Sequence, residues 1–384
     1  MAKKEFLDLL EFLPEKILCN SGYGQEAILN KICDNEFISI SYLVDKTNDA
    51  KFEYSVTIPR FISKSKETFE VLGLLQAEMG KTPNGNLSFC NHEHQIINKV
   101  LRWFKKELQL DIEKWKWSIK VNINEPEDPN YKQEVETKVT QYWLNKTKIT
   151  LQHSYPKNVA YIKNTENKIL KKADYGTLVI EYRNNLFSTI IKNLVKKITY
   201  EKILNCEIEL IQGFMNGIIA GEGCIELSKK DKKYRVHVTA TKEEEREVYS
   251  KCFNKLGIEA KLYRENKDII ISKRKNNVEL LKQRLITLSH EKCAKFLYMM
   301  HQYPKITEET GYFKPKGINQ WNKHPEEKTK KILELYKSGV TNTEEIAEKV
   351  EVSSIKVNKV LKANNLGKRV IKIYESKRQE IAKF

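Results

Sequence analysis

Two glutamates, Glu78 and Glu222, each close a short apolar stretch that carries glycine: LGLLQAEM (72–79) and NGIIAGEG (216–223). Small residues stand four apart in both, Gly73 and Ala77 in the first, Gly217 and Gly221 in the second. At that spacing they share one face of a helix. A glycine inside a helix costs about 1 kcal/mol relative to alanine. That cost is offset where the missing side chain lets a second backbone approach. Two helices packed on these faces would release Glu78 and Glu222 side by side at one end. Paired carboxylates repel unless a cation lies between them. Oxygen ligands of this kind suit Mg²⁺ or the similar Mn²⁺, which complete their shells with water and substrate phosphate. A metal so held polarises a phosphoryl oxygen and lowers the pKa of a bound water. One glycine-bearing helix ending in glutamate would signal only tight packing; the second copy makes the pair a candidate site for phosphodiester hydrolysis.

The elements that must position the pair can be read on either side of it. Residues 1–62 form a small leading unit, with a helix expected over 5–18, a second near 24–33, and two strand-like runs, FISISYLV and FEYSVTIPRF. In the latter run Tyr54, Val56 and Ile58 alternate with Ser55 and Thr57, which predicts one buried face. The helix ending at Glu78 is followed by a PNG turn and the strand NLSFC, then by an amphipathic helix over 93–108 with Ile96, Val100, Leu101 and Phe104 on one stripe. WKWSIKVNIN places Trp115, Trp117, Ile119, Val121 and Ile123 on one face and Lys116, Ser118, Lys120, Asn122 and Asn124 on the other. A helix over 132–144, the strand YGTLVIEY and a helix through Phe187, Ile190, Ile191 and Leu194 end this stretch.

From Ile203 the order begins again: the helix ending at Glu222, the strands CIELS and YRVHVTAT about a basic KKDKK turn, a helix over 243–256, the strands KLYRE and DIIIS, and a helix over 278–288. The fold class expected is therefore α+β, with two pseudo-symmetric αββαββα repeats, residues 63–202 and 203–302, forming an antiparallel β-saddle. The first is lengthened by an insertion over 125–172. Residues 303–384 are a basic linker followed by a helical domain. There, EEIAEKVEVSSIKVNKVLKAN spaces Ile346, Val350, Val352, Val357 and Val360 to close a helix-turn-helix core, with Glu351 where the turn usually has glycine.

The net charge of +17 over 384 residues points to a polyanionic partner, nucleic acid first of all. The apolar runs are too short for a membrane span and the N-terminus is too acidic for a signal peptide, so an intracellular (cytoplasmic or nucleoid) setting is expected. The seven cysteines include no Cys-x-x-Cys pair and read as reduced core residues, and the seven histidines show no metal-ligand or catalytic spacing. The polar strand faces offer Lys116, Ser118, Lys120 and Asn122 in the first repeat, and Arg235, His237 and Thr239 in the second, as contacts for duplex edges and phosphates. Ser353, Ser354, Lys356 and Lys359 would serve the helix-turn-helix in the same way.

Through GLLQAEM (73–79) and GIIAGEG (217–223), with the order of elements that follows each, residues 60–300 resemble the LAGLIDADG homing endonucleases in their single-chain, two-repeat form. The resemblance implies a DNA-bearing saddle of antiparallel strands and a divalent metal on the last acid of each motif, Glu78 and Glu222. It implies cutting of both strands of a long, specific site in double-stranded DNA. It also implies a basic residue near the metal, late in a repeat: Lys273, Arg274 or Lys275 in the second, and the region of Arg183 in the first. Departures from the family pattern are Met79 in place of glycine, and Gln76 and Ala220 in place of the inner acid.

A Mg²⁺-dependent DNA endonuclease acting as a monomer is thus the leading expectation, since the internal repeat supplies the pair that other proteins make by dimerising. The alternatives on the same scaffold are a cleavage-deficient DNA-binding regulator and an intron maturase that binds RNA. An intein is disfavoured, because no splice-junction nucleophile stands at Met1 or at the closing IAKF. No glycine-rich phosphate loop or nucleophile motif supports a small-molecule enzyme.

Overall fold

The computed structural model describes residues 5–18, 26–45, 51–80, 85–111, 114–147, 159–163, 169–171, 174–228, 233–263, 267–303, 306, 325–350, 352–364 and 366. Most of the PNG and KKDKK turns, the basic linker, Cys19, His153 and His324 lie outside the described residues. The chain forms two compact units, Met1–Tyr303 and Pro304–Phe384. Among the described residues no helix is long and apolar enough to cross a membrane.

The leading segment is built of strands: β1 (Phe6–Asp8), β2 (Lys16–Leu18), β3 (Glu26–Ile28), β4 (Asn30–Cys33), β5 (Phe37–Asp45), β6 (Lys51–Pro59) and β7 (Phe61–Ser63). The helices expected over 5–18 and 24–33 do not form. The first is reduced to a 3-10 turn, Leu9–Phe12, begun by the Asp8 carboxylate accepting the Leu10 N–H. Pro14 then holds Leu13 extended, at φ −70° and ψ 134°. β1 pairs antiparallel with β7, β2 with β3, and β4 joins a three-stranded sheet with β5 and β6. Pairing partners distant in sequence outweigh local helix propensity here. Burial along β6 fades from Ile58, fully buried, to Tyr54, which is exposed, so the face expected to be buried is covered only at one end.

The first half continues with α1 (Lys66–Glu78), β8 (Leu87–Asn91), α2 (His94–Leu108), β9 (Trp115–Val121), α3 (Pro129–Thr147), β10 (Val159–Tyr161), β11 (Thr177–Tyr182) and α4 (Asn185–Lys197). The second holds α5 (Ile208–Glu222), β12 (Gly223–Ser228), β13 (Lys233–Thr239), α6 (Glu243–Lys255), β14 (Lys261–Tyr263), β15 (Asp268–Ile271), α7 (Arg274–Lys282) and α8 (His290–Met300). Each half has a four-stranded sheet, ordered β10-β9-β11-β8 and β12-β13-β15-β14.

The second half follows the expected αββαββα order, and its strands all pair antiparallel. The first half departs from it. α2 follows β8 directly, so β8 has no hairpin partner and pairs instead with β11, ninety residues on in the chain. β10, which lies within the long insertion, runs parallel to β9, so this sheet is mixed rather than antiparallel. A long crossover permits that direction where a tight turn would not.

The helix expected over 278–288 is shorter. Arg284 adopts a left-handed conformation, φ 55°, after α7, and the chain restarts as α8, which had no counterpart in the sequence reading. Burial in the strands follows the alternation read from sequence: Trp115, Trp117, Ile119 and Val121 face inward, and Lys116, Ser118 and Lys120 face outward. The cysteines do not all belong to the core. Cys252 is buried, Cys33 and Cys224 are exposed, and Cys90, Cys206 and Cys293 are half-buried.

In the second unit, α9 (Pro325–Lys337), α10 (Thr343–Val350) and α11 (Ser354–Ala363) close on a core that includes Ile332, Ile346, Val350, Val352, Val357 and Leu361.

Candidate metal centre and nucleic-acid face

α1 and α5 cross in direct backbone contact. A Cβ added to Gly217 would lie 2.2 Å from the Glu70 carbonyl oxygen, and one added to Gly73 would lie 2.2 Å from that of Phe214. Both are well inside van der Waals contact, so only glycine fits. The contact runs on to the helix ends, where a Cβ at Gly221 would meet Ala77 Cβ at 2.4 Å and Glu78 Oε1 at 3.5 Å. Glu78, the last residue of α1, therefore lies against the residue before Glu222, the last residue of α5. The starts of the helices are tied as well: Lys64 Nζ bridges Glu5 and Glu207, at 2.8 and 2.9 Å.

The chain leaves both helices in the same way. Met79 has φ −74° and ψ 140°, and Gly223 has φ −75° and ψ 147°. That conformation is open to any residue, so methionine replaces glycine at position 79 without backbone strain. Buried and half-buried polar groups fix the crossing from its sides. Asn216 Nδ2 donates to Glu70 Oε1 (3.2 Å) and to Thr287 Oγ1 (2.9 Å), and Lys99 pairs with Glu70 Oε2 at 2.6 Å. Gln76, at the position of the absent inner acid, donates to Glu245 and accepts from Thr199. Its role in the fold is structural.

The basic residues expected late in each half have partners of their own. Lys273 pairs with both Glu259 oxygens at 2.8 Å, Lys275 lies 3.9 Å from the same carboxylate, and Arg274 stacks over Tyr303, 5.6 Å from the ring centroid. Arg183 reaches Glu181 at 3.5 Å. A cation that no spacing pointed to, Lys292 in the unforeseen α8, reaches the end of α5. Its Nζ donates to the carbonyls of Ile219 (3.3 Å), Ala220 (2.5 Å) and Gly221 (2.6 Å), at the end of α5. Burial pushes this ammonium below the usual lysine range, against the opposing pull of Glu78, Glu93 and Glu222. A signal for α8 exists in the sequence: Ser289 is an N-cap whose hydroxyl accepts the Lys292 N–H at 3.1 Å.

At the end of α1 the neighbour is different. Cys90 Sγ lies 4.0 Å from the Glu78 carbonyl oxygen, its thiol pushed up by burial and by the Glu78 charge, and eased by Lys120. Among the described residues no three His, Cys, Asp or Glu gather as a metal cage. Glu78 and Glu222 are the residues here that could hold a divalent cation, with most of its shell left to water or substrate.

On the outward face of the first sheet Lys116 stands opposite Glu181 and Lys120 opposite Thr177. On that of the second, Arg235 stands opposite Glu226, and His237 is held between Glu226 Oε2 (2.9 Å) and Asp268 Oδ2 (3.8 Å). Thr239 donates to Asp268 at 2.8 Å. Asn122, just past β9, is exposed. In the second unit Ser353 caps α11 through the Lys356 N–H (3.3 Å), Ser354 is its first residue, and Lys359 is exposed.

Comparison with curated protein sequences gives no match. Among solved structures, the N-terminal LAGLIDADG domain of DUF199/WhiA is similar over 59% of this chain and 84% of its own, at 13% identity and a TM-score of 0.30. Full-length DUF199/WhiA from Thermatoga maritima is similar over 82% and 93%, at 13% identity and a TM-score of 0.32. I-DmoI in complex with DNA and Ca is similar over 60% and 96%, at 11% identity and a TM-score of 0.28. Residues 209–297, from the first turn of α5 into α8, match the family model of the LAGLIDADG-like domain.

Proposed function

We propose that the protein is a site-specific, metal-dependent endonuclease that cuts both strands of duplex DNA, acting as a monomer. The observation that carries this reading is the backbone contact of two helices that end on Glu78 and Glu222. A pair of carboxylates that belongs to no larger cluster of acidic, thiol or imidazole groups among the described residues fits a hard cation that keeps water and phosphate in its shell, as Mg²⁺ or Mn²⁺ does. When bound, such a cation supplies Lewis-acid activation of the scissile phosphate and of the attacking water.

The chain's own part is to bring two carboxylates together, fix their backbones and carry the duplex. Lys116, Ser118, Lys120 and Asn122 on one sheet, and Arg235, His237 and Thr239 on the other, are the groups offered to DNA phosphates and base edges. Their mixture of cations and neutral donors suits both uses. Lys273 and Lys275 pair with Glu259, Arg274 stacks over Tyr303 and Arg183 reaches Glu181, and with these partners the four residues suit phosphate contacts. The pair α10 and α11, joined across residues 351–353, reads as a helix-turn-helix that adds a further DNA contact through Ser353, Ser354, Lys356 and Lys359.

The test is cleavage of a randomised duplex library with Mg²⁺ by the full chain, beside Glu78→Gln and Glu222→Gln. Specific double-strand cuts are expected, with each substitution lowering the rate by at least about a hundredfold. Selective binding without cutting by the unaltered chain would instead mark a regulator. Preference for folded RNA would mark a maturase.

A further inference from the structure

The ends of α1 and α5 concentrate negative charge. Each helix presents its last carbonyls, and each adds a carboxylate, Glu78 or Glu222, at the same point. Without a cation such a cluster pushes itself apart. The chain carries a cation of its own at this place. Lys292 Nζ sits on the last carbonyls of α5, with hydrogen bonds of 2.5 and 2.6 Å to Ala220 and Gly221, the two residues before Glu222.

Lys292 is itself aimed from the other half of the molecule. Glu93, at the head of α2 and only 9% exposed, caps α8. Its carboxylate accepts the His290 N–H (2.7 Å) and the Glu291 N–H (3.2 Å), and the Ser289 hydroxyl. His92 pairs with Glu291 (3.2 Å) and Gln95 with His290 (3.1 Å). α8 is thus a strut. The first half grips its N-terminus, and one turn later its lysine grips the second half beside the acid pair.

We propose that Lys292 is a positioning residue: its ammonium is the built-in counter-charge that holds Glu222 beside Glu78. The proposal rests on reading the two glutamates as one functional pair. In this role Lys292 keeps the two motif helices closed at their charged ends.

The test is a double-mutant cycle by urea unfolding of the full chain. Lys292→Gln keeps a hydrogen-bond donor and removes the charge, and it is made both in the natural background and in one carrying Glu78→Gln with Glu222→Gln. Loss of the charge should raise the unfolding constant about tenfold more in the natural background than in the double-glutamine one. Lys292→Arg should recover most of the difference. An equal cost in both backgrounds would overturn the proposal, since Lys292 would then be only a helix cap, and it would leave the endonuclease reading intact. Uptake of Mn²⁺ by the unaltered chain with duplex present, followed by electron paramagnetic resonance, tests that reading separately. Absence of uptake would sink the metal site, while the cycle would still decide the counter-charge.

Discussion

The ends of α1 and α5 do the same thing by different means. Both helices stop on a glutamate, and both pass into an extended residue at nearly equal φ and ψ. Around them the surroundings differ. The last turn of α5 is capped by Lys292 and followed at once by a hairpin of two strands, while that of α1 faces the Cys90 thiol, and its strand pairs with one ninety residues away. The crossing and its two terminal glutamates are alike in the two halves, and the scaffold behind each differs. The second half keeps the regular αββαββα order and the first accepts an intervening helix and a parallel edge strand.

The largest effect that would break this comparison lies at the crossing itself. Gly217→Val places a branched side chain where the Glu70 carbonyl oxygen is 2.2 Å from the first added carbon. It should cost about 3 kcal/mol or more in urea unfolding. Gly257→Ala, at φ +72° but with nothing within 4 Å, should cost about 1 kcal/mol. Equal costs would mean that the helices do not touch as described.

A smaller effect separates the two sheet faces. Lys120→Ala should weaken duplex binding several-fold and lower the slope of log K against log salt by about one, as for one lost phosphate contact. His237→Ala, whose ring is already engaged by Glu226 and Asp268, should leave that slope almost unchanged. Binding isotherms at several salt concentrations measure both. A larger slope change for His237 would reverse the assignment of the faces.

The smallest effect concerns the strands that only the first half carries. Asp8 accepts two hydrogen bonds from Arg60, at 3.0 and 2.7 Å, and these hold its carboxyl below the ordinary value of 3.8. The stability this pair adds is present above pH 4 and is lost as the pH falls through the lower folded value. Because both side chains are about a quarter exposed, the loss should stay under about 1 kcal/mol. Acid titration of unfolding should show it in the natural chain and not in Asp8→Asn. An unchanged profile in Asp8→Asn would remove the pair from the account of how β1 is held.

The core face of the central elements was legible in the sequence because it depends on local periodicity. The alternation from Trp115 to Val121 and the four-residue spacing of Gly73–Ala77 and Gly217–Gly221 each assign a residue to one side of its own strand or helix. The start of the leading segment, up to Cys33, was misread for the complementary reason. Its strands are short, and what makes them strands is pairing of β1 with β7, β2 with β3 and β4 with β5.

By itself the sequence determined which residues could form the acid pair, which faces of β9 and β13 are polar, and that the chain is strongly basic. Only the tertiary structure decided what surrounds the pair. Lys292 lies 70 residues beyond Glu222 in an element that hydropathy did not reveal, and it arrives at the carbonyls of α5 because Glu93, in the other half, caps α8. The same holds for Lys273, one of three residues that the family resemblance offered for the metal's neighbourhood and which the fold pairs with Glu259. Spacing along a helix or strand fixes direction over a few residues. A charge meeting another across two hundred residues is set by how the elements pack, and a single sequence carries no local mark of that.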